Sequence, residues 1–182
     1  MSRWRNTLCA LWACISLAQF APAQQKPRLV TKADTVQPMA ATMGSVTATP
    51  GTISFTATDP DLGSVSGSSG ATVNWTTTGG STSSTWNLKV HSSAAHFANC
   101  ATVPASAVTV SCNTVTGGSA GTCSAPFALS TTGTQVASGK ESSGTGAAYS
   151  VTLTFTLADS WKYIAKQSPS CTLTLTYTVT AP

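Results

Sequence analysis

The chain reads as an all-β protein, a two-sheet antiparallel β-sandwich of about nine short strands, and three observations lead there. First, apolar and hydroxyl residues alternate over AYSVTLTFTL and CTLTLTYTVT in the last third of the chain. A period of two puts every apolar side chain on one face of an extended strand and every threonine on the other, which a helix cannot use. Second, short runs of β-branched and aromatic residues are bounded by Gly, Pro, Asp and Ser clusters along most of the length. Third, only 8% of the 182 residues are charged while 41% are hydrophobic, enough apolar surface for one modest domain rather than a linker.

Val46 to Thr49 is the first expected strand of the sandwich, stopped by Pro50-Gly51, and Thr52 to Thr58 resumes with Ile53, Phe55 and Ala57 on one face. Asp59-Pro60-Asp61-Leu62-Gly63 is a turn, and Ser64 to Gly70 a serine-glycine loop. Thr72 to Thr77 directs Val73 and Trp75 inward, and Thr85 to His91 does the same with Trp86, Leu88 and Val90. Ala107 to Asn113 and Thr122 to Leu129 come next, the second presenting Cys123, Ala125, Phe127 and Leu129 on one face. Gln135 to Ser138 is a weak edge strand, and the two alternating segments within Ala148 to Thr180 form a long closing hairpin. Its connector, Ala158 to Ser170, carries the one helical turn, with Asp159 as cap and Trp161, Tyr163 and Ile164 covering an end of the core.

The amino terminus has the layout of a secretory signal over residues 1–23. Arg3 and Arg5 precede a short apolar run from Leu8 to Phe20 and a small-residue site at Ala21-Pro22-Ala23. A lipidated Cys14 is the competing reading. That run is too short to span a bilayer, and no later stretch is long and apolar enough to be a transmembrane helix. Residues 24–44 hold two prolines and little periodicity and read as a flexible lead-in to a domain over 45–182. Leu29 to Val36 has β-formers enough for a donor strand or attachment tail.

Charge excludes one function class. The formal +4 includes Arg3 and Arg5, which leaves +2 after the signal. Lys26, Arg28 and Lys32 against Asp34 account for that remainder. From Ser45 onward, Lys89, Lys140, Lys162 and Lys166 balance Asp59, Asp61, Glu141 and Asp159. A neutral domain lacks the electrostatic footprint of a nucleic-acid binder. Past the signal, Cys100, Cys112, Cys123 and Cys171 form an even set that suits two disulfides in an oxidising compartment. Three pairings are possible. Cys112 and Cys123 lie symmetrically about Gly117-Gly118, so a turn there favours Cys112 with Cys123 and leaves Cys100 with Cys171. A directly opposed hydrogen-bonded pair in one ladder would suit that bridge less well.

This pattern of strands and turns, over Ser45 to Thr180, resembles the broad class of bacterial immunoglobulin-like and pilin-like sandwiches. The antibody-type arrangement, a core Trp between two bridged cysteines, is not followed: Trp75 and Trp86 both precede Cys100. Nor does the C-terminus carry a pilin signature.

Candidate chemistry is sparse. Gly117-Gly118-Ser119-Ala120-Gly121 matches G-x-S-x-G, yet both histidines precede Ser119 and a strand rather than a helix comes after it, so a hairpin turn is the expectation. His91 and His96 fall on opposite strand faces with no acid near, and Asp59 with Asp61 offers only two of the six to eight oxygens calcium takes. No cofactor or metal is expected. Trp75, Trp86 and Trp161 could floor a sugar platform only if exposed, and their inward phase makes core packing the expectation. Together these features suit an exported, non-enzymatic structural or adhesion-type module of the envelope or cell surface. A glycan- or protein-binding module is the alternative, using Trp161, Tyr163 and the loops Ser64 to Gly70 and Gly139 to Gly146. A self-assembling pilus-like or surface-layer subunit is the other.

Overall fold

The structure is a computed structural model, and it describes residues 28–33, 42–56, 63–160, 163 and 170–181. The expected signal segment, Asp59, Asp61, Trp161 and the body of the expected helical turn lie outside the described residues.

Fifteen strands are present among them: β1 (Arg28–Ala33), β2 (Thr42–Met43), β3 (Thr47–Thr49), β4 (Thr52–Ser54), β5 (Ser64–Ser66), β6 (Ala71–Gly80), β7 (Thr85–Ser92), β8 (His96–Phe97), β9 (Cys100–Pro104), β10 (Val108–Thr116), β11 (Ser119–Cys123), β12 (Phe127–Ala128), β13 (Thr134–Lys140), β14 (Gly144–Ala158) and β15 (Thr172–Thr180). The excess over the nine expected consists mostly of pieces two or three residues long, too short to show a periodicity. One six-stranded sheet runs β11-β13-β7-β15-β1-β4. The facing seven-stranded sheet runs β12-β10-β14-β6-β2, with β3 also on β6 and β5 also on β14. A small β8-β9 pair forms its own ladder, tied to the start of β15 by a backbone bridge between Ala98 and Thr172, and the all-β, layered character inferred from alternation is the one the chain adopts.

The two strands with the strongest alternation are the centres of the two sheets, and they are not a hairpin. β14 pairs with β10, β6 and β5, whereas β15 pairs with β7 and β1. A connection of a dozen residues is long for a hairpin turn, and it carries the chain from one layer to the other instead. Val151, Leu153, Phe155 and Leu157 therefore meet Leu173, Leu175, Tyr177 and Val179 across the core rather than side by side, all of them buried. The threonines between them point away from the core and are half-buried, except Thr176, which is buried.

Three further expectations change. Residues placed in a flexible lead-in include β1, an interior strand: it pairs in parallel with β15 from Arg28↔Thr172 to Ala33↔Tyr177 and antiparallel with β4. Leu29 is fully buried there, so the short apolar pattern was sufficient once two neighbours supplied backbone partners. Thr122 to Leu129 is not one strand. Pro126 cannot donate to a ladder, and the chain divides there into β11 in the first sheet and β12 in the second. Cys123 and Ala125 are consequently exposed, while Leu129 is buried. β13 is no edge, since β7 and β11 flank it.

Both expected disulfides are formed, Cys100–Cys171 and Cys112–Cys123, each with Cα atoms 5.4 Å apart. Because β10 and β11 belong to different sheets, the second bridge joins the two layers and is not an opposed pair within one ladder. Gly117 (φ 87°) and Gly118 (φ 70°) make the turn between them in a left-handed conformation that favours glycine. Space demands glycine as well: a Cβ on Gly117 would strike the Ala148 carbonyl, and one on Gly118 that of Lys140.

Candidate binding surface

Alternation decides which side chains each sheet shows to solvent. On β6, Val73, Trp75 and Thr77 point inward, and Thr72, Asn74 and Thr76 outward. On β14, Tyr149 and Val151 point inward, and Ala148 and Ser150 outward. Beneath the surface, Trp75 and Tyr149 are register partners whose rings stack with centroids 5.3 Å apart and planes 5° from parallel. Trp86 from the opposite sheet meets both edge-on, at 5.1 Å and 6.1 Å. Arrangements of this kind contribute about 0.5–1.5 kcal/mol per pair beyond their buried area. The Tyr149 hydroxyl accepts from the Ser142 backbone N–H (2.8 Å) and the Thr77 hydroxyl (3.3 Å).

Above this aromatic layer lies a groove of about 350 Å³. Ser45 and Thr47 form one wall, Asn74 and Thr76 the near floor, Ala148 and Ser150 the far floor, and Thr116 the end. Ala148 keeps the floor low because its side chain is only a methyl, and β14 is bulged nearby, between its pairings to Thr78 and Thr77. The Thr116 hydroxyl donates to the Ser150 carbonyl at 3.3 Å and so is held in place. The exposed functional groups are hydroxyls, one carboxamide and methyls. No side chain carrying charge at neutral pH lines the groove. Such a surface can exchange hydrogen bonds with a neutral, hydroxyl- or amide-bearing ligand.

The other candidates are dispersed. Ser119 opens β11 opposite Lys140, which in turn pairs with Thr85 on β7, while His91 is six residues further along β7. At about 3.3 Å per residue that is a separation of about 20 Å, so the G-x-S-x-G string is a turn entering a strand and not a nucleophile elbow. His91 is half-buried and opposite Thr176; His96 is exposed on β8. Among the described residues, no three His, Cys, Asp or Glu side chains converge. Tyr163 is half-buried against the core rather than displayed, its N–H donating to the Ser160 carbonyl at 2.9 Å. Trp75 and Trp86 are core residues and offer no platform. Two expected loops are partly strand: β5 occupies Ser64–Ser66, and β13 with β14 shortens the second loop to residues 141–143.

Glu141, counted in the sequence only as a surface charge, is 1% exposed. Its Oε2 accepts from the Ser81 N–H at 3.3 Å, and its Oε1 has no hydrogen-bond partner among the described residues. Its neighbours Lys140 and Ser142 gave no sign of this in sequence. Lys140 reaches outward to the Ser83 carbonyl (3.3 Å) and the Thr85 hydroxyl (3.2 Å).

No helix among the described residues is long and apolar enough to cross a membrane. No protein-family model, curated protein or solved structure matches the chain.

Proposed function

We propose that this chain is a non-catalytic, exported structural or adhesion-type module that meets its partner through the outer face of the β14-centred sheet. The observation that supports the reading best is the groove over Ala148, furnished with hydroxyl and amide groups and held over a core that two disulfides staple. Export is consistent with those bridges, which persist outside reducing compartments, and with the signal-like layout of residues 1–23. A ligand suited to this face is a neutral, polyhydroxylated polymer such as an envelope or host glycan, because the groove supplies directional hydrogen bonds without the cost of desolvating a charge.

The test is retention of the mature protein on a panel of insoluble polysaccharides, comparing the parent with Ala148→Arg and with Thr178→Arg. The first variant fills the groove; the second alters the outer face of the other sheet. Retention lost at least tenfold in the first variant only is the expected result. Equal retention by both variants, or a hydrolytic activity abolished by Ser119→Ala, would overturn the proposal.

A further inference from the structure

The two disulfides sit in opposite surroundings. Cys100 and Cys171 are 2% and 0% exposed and belong to the main core cluster. Backbone hydrogen bonds tie the chain down on either side of them. The Cys171 carbonyl accepts from the Arg28 N–H at 2.7 Å, and the next residue, Thr172, exchanges two bonds with Ala98 at 2.7 and 3.2 Å. A thiolate has to reach a sulfur before it can attack, so opening this bridge requires that part of the structure to unfold first.

Cys112–Cys123 lies at the surface. Cys123 is exposed, as is every other residue of β11, whereas Cys112 is half-buried and packs against the core. The two sulfurs of this one bridge therefore differ in access, and the approach is to Cys123. The strands that carry them also have other attachments. β10 is paired with β14 from Val108↔Leu157 to Thr116↔Ser150 and with β12 through Thr109 and Val110. β11 is paired with β13 from Ser119↔Lys140 to Cys123↔Ala137, and just beyond it the Ser124 N–H donates to the Val136 carbonyl at 3.0 Å. Breaking the bridge removes a link between the two sheets and leaves each of these ladders in place.

We propose that Cys123 is a site of reversible modification by a low-molecular-weight thiol, reached in the folded protein while Cys100–Cys171 stays closed. The attacking thiolate bonds to the Cys123 Sγ, the Cys112–Cys123 bond breaks, and its electron pair leaves on the Cys112 Sγ, which takes a proton from water. One disulfide is exchanged for another, so no oxidant or reductant is consumed. The reverse attack by Cys112 on the mixed disulfide expels the small thiol and reseals the bridge. Thr116, at the end of the groove, keeps its pairing with Ser150 in either state, so this inference is independent of the groove and its ligand.

The experiment treats the mature folded protein with reduced glutathione at about pH 8, near the ordinary thiol pKa, and traps free thiols at intervals with N-ethylmaleimide before peptide mapping. The expected product carries glutathione on Cys123 and N-ethylmaleimide on Cys112, and forms at least about tenfold faster than Cys100–Cys171 opens. Tryptophan fluorescence should stay that of the folded chain, and removing glutathione before trapping should restore the bridge. Val179→Ala, which destabilises the core at a fully buried site on β15, provides the second measurement. Its rate of Cys123 modification should match the parent's, whereas a rate that rises with the loss of stability would show that attack follows unfolding and would overturn the proposal. Opening of both bridges at one rate, glutathione on Cys112 in place of Cys123, or no adduct until the protein unfolds would overturn it as well.

Discussion

Tyr177 offers a sharp test of the two-layer core. Its side chain is fully buried on β15, and its hydroxyl finds no hydrogen-bond partner among the described residues. Burying a hydroxyl unpaired costs about 1–3 kcal/mol by mutational measures. Tyr177→Phe removes that cost and little else, so the variant should be more stable than the parent by about 1 kcal/mol at pH 7, after allowance for the small void left. Burial also pushes the phenol well above its ordinary value of 10.0. Below about pH 10 both folded and unfolded chains keep the proton and the contribution is constant. Above it the unfolded chain releases the proton while the folded chain cannot, so stability falls as pH rises, by about 1.4 kcal/mol per unit. At pH 11 the variant should therefore lead by roughly 2.4 kcal/mol, the sum of the two effects. Urea unfolding followed by tryptophan fluorescence at pH 7, 9 and 11 measures both quantities, and the difference between the chains cancels lysine titration common to both. A variant less stable than the parent at pH 7 by more than about 1 kcal/mol, or one with the same alkaline decline, would refute this account of the core.

The two disulfides should differ in worth. Replacing Cys100 and Cys171 by alanine opens a sequence separation of 71 and should cost about 4.4 kcal/mol on the chain-entropy estimate. The same change at Cys112 and Cys123 opens a separation of 11 and should cost about 2.8 kcal/mol, both read from denaturant midpoints. Gly139→Ala should destabilise by about 1–3 kcal/mol, because the added methyl would sit 2.7 Å from the Trp86 ring, in a core with no room to yield. Pairing it with Trp86→Phe should recover part of that loss in a double-mutant cycle.

Much of this architecture was legible in the chain itself. Alternation across Val151 to Leu157 and Cys171 to Val179 determined which side chains are buried, because a pleated strand has only two faces and water accepts only one of these rows. The inward phase of Trp75 and Trp86, the cysteine pairing about Gly117-Gly118 and the turn at the G-x-S-x-G string were likewise local matters of period and spacing. What period two cannot specify is the sheet to which a strand belongs, since a strand facing the core from above and one facing it from below have the same pattern. That β14 and β15 sit in opposite layers, that β1 joins the sheet, and that Glu141 is enclosed were settled only when distant segments came together. The groove over Ala148 has the same origin: its hydroxyls come from β3 and the segment just before it, β6, β10 and β14, and only the ladder between those strands makes them neighbours.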